Sequence, residues 1–216
     1  MTGRTYRARG IRRVAAASGT ALWLLIAVAG LRTLSDYSLA AGESAQAPSR
    51  WPAETRLPRF ADQPVLVVIA HPLCPCSRAT IGELNRLMSH VHGRVTVHVV
   101  FVRPPGAGEE WTNTDLWRSA VAIPDVTAWS DEGGVEASRF GAATSGQAIL
   151  YDGDGRLVFS GGITAARGHF GDNAGSQALA RLLIDGMPSR PHTPVFGCAL
   201  FDRAMRCAQG GDACRS

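Results

Sequence analysis

The sequence predicts an α/β domain, a central mixed sheet flanked by helices, preceded by one N-terminal transmembrane helix. Three observations carry that prediction. An uncharged run occupies residues 14–31, a strand-helix-strand alternation follows over residues 65–102, and a hairpin leads into a helix over residues 148–184. With 216 residues and 45% hydrophobic content, the chain is long enough for one ordinary domain plus an accessory segment and too apolar for disorder.

Residues 1–13 form a basic n-region carrying Arg4, Arg7, Arg9, Arg12 and Arg13. The run over residues 14–31 (VAAASGTALWLLIAVAGL) follows, closed by Arg32. At ~1.5 Å per residue it spans about 27 Å as a helix, close to the ~30 Å hydrocarbon core, whereas a secretory h-region has only ~7–15 residues. It reads as an uncleaved anchor inserted in the bilayer. Small residues at Ser38 and Ala40 keep signal-peptidase cleavage as the alternative. The positive-inside bias keeps the arginine cluster in the cytoplasm and sends the rest of the chain across, as a single-pass protein of the inner (plasma) membrane with a periplasmic domain. Residues 32–63, rich in Ala, Ser, Pro and charge without a sustained period, read as a linker.

The folded domain is expected over residues 64–187. Residues 65–70 (VLVVIA) are continuously apolar, as in a strand buried on both faces. Over residues 77–91 the apolar positions Ile81, Leu84, Leu87, Met88 and Val91 recur at spacings of three and four, which is one stripe of a helix. Residues 95–102 (VTVHVVFV) form a second β-branched strand, stopped by Pro104-Pro105-Gly106. Short helices are expected near residues 114–121 and 134–140, with Trp111, Trp117 and Trp129 as packing anchors. Residues 148–151 and 156–160, joined by Asp152-Gly153-Asp154-Gly155, read as an antiparallel hairpin. A last amphipathic helix covers residues 176–184, with Asp172-Asn173 as its N-cap, and residues 188–216 form a Cys-containing tail.

Charge narrows the partners. All 22 basic residues are arginine, which reflects a coding bias more than a function. Six of them fall in the first 32 residues, so the remainder carries 16 arginines against 18 acids, a net of −2. A nucleic-acid partner would need a basic face on the folded part, and none is called for.

The chemistry centres on His71-Pro72-Leu73-Cys74-Pro75-Cys76, at the junction of the first strand and the following helix. Free N–H groups and the positive helix terminus favour thiolate there, and such cysteines titrate at about 3.5–7.5 rather than ~8.5. The placement resembles the thioredoxin superfamily over residues 64–185. Together with Thr144-Ser145-Gly146-Gln147, Gly161-Gly162-Ile163-Thr164, Arg167-Gly168-His169 and Thr193-Pro194-Val195-Phe196-Gly197-Cys198, the motif is similar to bacterial RedB-type membrane-anchored thioredoxin-like proteins. Two departures stand out. One residue, Pro75, separates the cysteines where the superfamily has two, so which cysteine attacks stays open. Gly146 stands where thioredoxins carry a cis-proline. A disulfide across one residue would be strained, and strain raises the reduction potential.

The chain has five cysteines: Cys74, Cys76, Cys198, Cys207 and Cys214. Disulfides within the motif (Cys74 with Cys76) and within the tail (Cys207 with Cys214) leave Cys198 free or as a resolving thiol. His71 and His169 are candidate supporting residues beside Pro75 and Gly146. His90, His92 and His98 read as structural, and Glu83 as a solvated residue on a polar helix face. The leading expectation is a thiol-disulfide oxidoreductase that uses Cys74, Cys76 and Cys198 on protein thiols and disulfides in the periplasm, without a cofactor. The alternatives are a copper-binding or delivery protein using Cys74, Cys76 and His71 or His169, and a non-catalytic scaffold with a purely structural cysteine pair.

Overall fold

The computed structural model describes residues 3–43, 46–111, 113–186 and 191–201. The chain divides into two units, one up to Leu39 and one from Ala40 onward. The first is a single helix, α1 (Gly3–Leu39). Its stretch Ala15–Leu39, 25 residues of mean hydropathy 1.5, is long and apolar enough to cross a membrane by length and composition. The helix continues beyond Arg32 because residues 31–39 hold neither proline nor glycine to break it.

The second unit is built on a five-stranded sheet. In chain order its elements are β1 (Val65–Ala70), α2 (Pro75–Val91), β2 (Thr96–Arg103), α3 (Asp115–Val121), β3 (Val126–Glu132), α4 (Val135–Arg139), β4 (Gln147–Tyr151), β5 (Leu157–Gly162) and α5 (Ala174–Asp185). The strands lie in the order β3-β2-β1-β4-β5. The β1-β2 and β2-β3 pairs are parallel, Val68 opposite Val99, while β1-β4 and β4-β5 are antiparallel, Val67 opposite Ile149. The expected mixed sheet flanked by helices is thus the observed one, and β1-α2-β2 followed by β4-β5-α5 is the thioredoxin-like fold.

β1 is central, and its side chains alternate between two cores. Leu66, Val68 and Ala70 meet the α2 stripe of Ile81, Leu84, Leu87, Met88 and Val91, with Leu179 of α5. Val65, Val67 and Ile69 meet Val100, Phe140, Ile149 and Tyr151 on the opposite face. That double burial is why β1 is a continuous apolar run. The hairpin turn between β4 and β5 is held by Asp152, whose Oδ1 accepts from the N–H groups of Asp154 (3.0 Å) and Arg156 (2.8 Å).

Several expectations change. β3, between the two expected short helices where no strand was assigned, runs along the sheet edge, and it lacks an apolar run because its side chains are mostly half-buried or exposed. The segment expected as a linker packs Ala47, Trp51 and Leu57 against the second core. Trp51 sits edge-on to Phe140 (5.1 Å) and Tyr151 (5.3 Å), Leu57 is buried, and Tyr151 Oη donates to the Pro48 carbonyl (3.0 Å). The start of the tail is packed as well. Residues 191–201 pair with the sheet through Ser160 opposite His192 and Thr144 opposite Ala199, and Leu200 and Phe201 are buried. Glu83 is buried rather than solvated, accepting from Gly171 N (2.6 Å), Asn173 Nδ2 (3.1 Å) and Ser176 Oγ (3.1 Å). It binds the loop that opens α5, where Asn173 caps the helix by accepting from Ser176 N. His98 is the structural residue it was expected to be: Trp129 Nε1 donates to its Nδ1 (3.1 Å), and its Nε2 faces the Pro58 carbonyl (2.8 Å).

Candidate thiol site

Cys74 is the N-cap of α2 and Pro75 its first helical residue, where the missing N–H costs nothing. The turn that delivers them is closed by Cys74 N donating to His71 O (3.1 Å). Cys74 and Cys76 are only 6% and 7% exposed, so the two cysteines are set into the domain while Leu73 and Pro75 beside them are exposed.

The third sulfur arrives from the far end of the chain. Residues 191–201 run back over the β4-β5 end of the sheet, where Ser145 N donates to Cys198 O (2.8 Å) and Leu200 N to Ala143 O (2.9 Å). This approach requires glycine at 197, since a Cβ there would lie 1.8 Å from the Ser145 carbonyl oxygen. Cys198 Sγ ends 3.2 Å from Cys74 Sγ, within hydrogen-bond reach. The sulfurs of Cys74, Cys76 and Cys198 all lie within 4.8 Å of one another.

A buried hydroxyl pair ties the parts together. Ser77 Oγ and Ser145 Oγ are 2.6 Å apart, and His71 N–H faces both, at 3.0 and 3.2 Å. The first turn of α2, the end of β1 and the loop before β4 therefore share one polar contact. Gly146 in that loop has φ +93° and donates its N–H to Ile69 O (2.7 Å), and a Cβ there would crowd Thr80 Oγ1 at 2.8 Å. A side chain is excluded where the superfamily has its proline.

Charge is divided unequally among the three thiols. Burial alone would raise Cys74, but a hydrogen bond from the Cys198 thiol and the nearby backbone amides of Ser77, Cys76 and Cys198 favour its charged form and hold it below the ordinary thiol value. Cys76 is raised, first by burial and then by the charge on Cys74. Burial, with Cys74 adding to it, pushes Cys198 up to about 12. Of the three cysteines, Cys74 is thus the one whose charged form its surroundings favour.

Neither histidine joins the sulfurs among the described residues. The histidines of the expected metal set are therefore replaced by Cys198. His71 Nδ1 accepts from Leu73 N (3.3 Å), its ring stands edge-on to Trp111 (6.1 Å), and burial lowers its pKa, which favours the neutral imidazole. His169 is exposed, its Nδ1 2.8 Å from the Arg167 carbonyl. Its neighbour Arg167 is the residue sequence reasoning passed over. The guanidinium donates to the Gly197 and Ala40 carbonyls, and its charge favours thiolate at Cys76 and Cys198. The Arg167-Gly168-His169 motif pointed at the place, and the charge in it was the signal available. Cys207 and Cys214 lie outside the described residues.

The fold and the site together define a thioredoxin-like domain with three convergent cysteines. No family model matches the chain, and no curated protein does. Among solved structures, a hypothetical protein from Sinorhizobium meliloti 1021 is 21% identical, with 74% of this chain and 96% of that one covered at a TM-score of 0.59. An uncharacterized conserved protein from Geobacillus kaustophilus is 17% identical over 76% of this chain and 93% of its own, at 0.53. A secreted Mycobacterium tuberculosis disulfide oxidoreductase is more distant, 15% identical over 58% and 83%, at 0.43. The first two likenesses are likenesses of fold.

Proposed function

We propose that this chain is a membrane-anchored thiol-disulfide oxidoreductase of the RedB-like kind, working on protein thiols and disulfides on the extracytoplasmic side, with α1 in the bilayer. The observation that carries the reading is the 3.2 Å approach of Cys198 Sγ to Cys74 Sγ at the N-terminus of α2. Two thiols so placed are within reach of each other to resolve a mixed disulfide.

The Cys74 thiolate attacks a partner disulfide, forming a Cys74-partner bond while the partner's other sulfur leaves as thiolate. Cys198 then loses its proton and attacks Cys74 Sγ, a Cys74-Cys198 disulfide forms, and the partner's second sulfur leaves. Two electrons pass from this protein's dithiol to the partner, and the same steps in reverse oxidise a partner dithiol. Arg167 favours the Cys198 thiolate that the second step requires. Leu73 and Phe170, 59% and 71% exposed, offer apolar surface for a polypeptide partner.

Cys74→Ser is expected to abolish exchange with a model disulfide, and Cys198→Ser to accumulate mixed disulfides visible on a non-reducing gel. Full activity in Cys74→Ser would remove the reading.

A further inference from the structure

Among the described residues, the metal-ligating side chains that converge are Cys74, Cys76 and Cys198, all sulfur donors from two distant parts of the chain. A thiolate binds a soft ion at about 2.3 Å, so two sulfurs on one ion lie at most ~4.6 Å apart, and about 4.0 Å apart in a trigonal arrangement. The sulfurs here span from 3.2 Å to no more than 4.8 Å, a spread that brackets the trigonal spacing.

We propose that the reduced site binds one soft thiophilic cation, copper(I) or zinc(II), through these three sulfurs, and that occupancy and thiol exchange exclude each other. The second half rests on the exchange reading above. An all-sulfur donor set selects soft ions over magnesium or calcium. Cys74 and Cys76 are buried, which shields the bound ion from water, while Cys198 is less buried and leaves a way in. Arg167 offsets part of the negative charge that three thiolates would concentrate.

The exclusion follows from atom balance. A Cys74-Cys198 disulfide removes two of the three ligands, so the oxidised site holds no ion. Binding to the dithiol form releases the remaining thiol protons and moves no electrons. The lone pair Cys74 would use on a partner disulfide is then committed to the metal. An ion in this site is therefore an inhibitor of exchange that a chelator relieves.

The test uses the full-length protein in detergent micelles, carrying Cys207→Ser and Cys214→Ser so that the tail thiols do not bind. Reduced protein is titrated anaerobically with copper(I) against a chromophoric chelator and, in a separate arm, with zinc(II). One equivalent is expected in at least one arm, with the arm identifying the ion. Affinity should fall at least about tenfold in Cys76→Ser and again in Cys198→Ser, and binding should vanish in the oxidised protein. Iodoacetamide labelling of Cys74 should slow at least about tenfold in the loaded protein and recover with chelator. Circular dichroism of each variant confirms that it is folded. No uptake in either arm, undiminished uptake in folded Cys76→Ser and Cys198→Ser, or unchanged labelling of the loaded protein would overturn the proposal. Exchange assayed in the metal-free protein separates the two readings. Active exchange without metal uptake removes this inference alone, and three-sulfur binding without exchange removes the exclusion.

Discussion

At Cys74 two effects oppose each other. Removing a thiolate from water costs free energy, while hydrogen bonds at a helix N-terminus return it, and here the second effect wins because Cys198 and three backbone amides face one sulfur. The sign of the pH dependence follows. A lowered thiol pKa keeps the reactive thiolate populated as pH falls through the range where an ordinary thiol, near 8.5, is already protonated. In the reduced protein Cys74 is expected to be alkylated at pH 6 faster than Cys198, whose thiol is pushed up to about 12. Equal rates at pH 6 would contradict this electrostatic division. The position of Cys74 was legible because it stands where an apolar run gives way to a helical stripe. Cysteine counting offered Cys198 as a free or resolving thiol, but its approach to Cys74 was not legible, since the two lie 124 residues apart and no local pattern records that contact. Arginine 167 was hidden for a related reason: in a chain whose basic residues are all arginine, one more in a loop carries little signal.

At the scale of elements, periodicity disclosed those that are buried on one clear face or on both. β1 lies where sequence pattern puts it, and β2, α2, α5 and the β4-β5 hairpin do so apart from shifts of one or two residues at their ends. β3 escaped because an edge strand ending in Asp131 and Glu132 needs no apolar run. The segment after α1 escaped because its contacts are isolated anchors, Trp51 and Leu57, in a proline-rich stretch with no period. Residues 191–201 escaped for the same reason, although Gly197 marked the close approach. Replacing Gly197 with alanine forces a Cβ against the Ser145 carbonyl, and overpacking of this kind costs about 1–3 kcal/mol. Thermal unfolding should therefore move to lower temperature in Gly197→Ala. The Cys74-Cys198 disulfide should also form more slowly, because the displaced segment carries Cys198. An unchanged melting temperature with unchanged oxidation kinetics would show that this approach does not position the thiol.

The whole molecule joins a helix long and apolar enough to cross a membrane with a domain that carries three convergent cysteines, and each half makes its own prediction. On the proposed anchoring, the positive-inside rule puts the arginines preceding α1's apolar stretch in the cytoplasm. Alkaline phosphatase fused after residue 40 should accordingly be active and a fusion before residue 14 inactive; an active N-terminal fusion would reverse the orientation. For the domain, thiolate stabilisation at Cys74 favours the reduced form, and a stabilised reduced form makes a disulfide a stronger oxidant. The most direct measurement is a redox titration of the full-length protein with the linked cysteines identified by peptide mapping under non-reducing conditions. The expected result is a single two-electron transition that joins Cys74 to Cys198, at a potential above the roughly −270 mV of thioredoxin. A Cys74-Cys76 linkage with Cys198 still free to alkylate, or a Cys74-Cys198 bond below about −300 mV where structural disulfides lie, would contradict it.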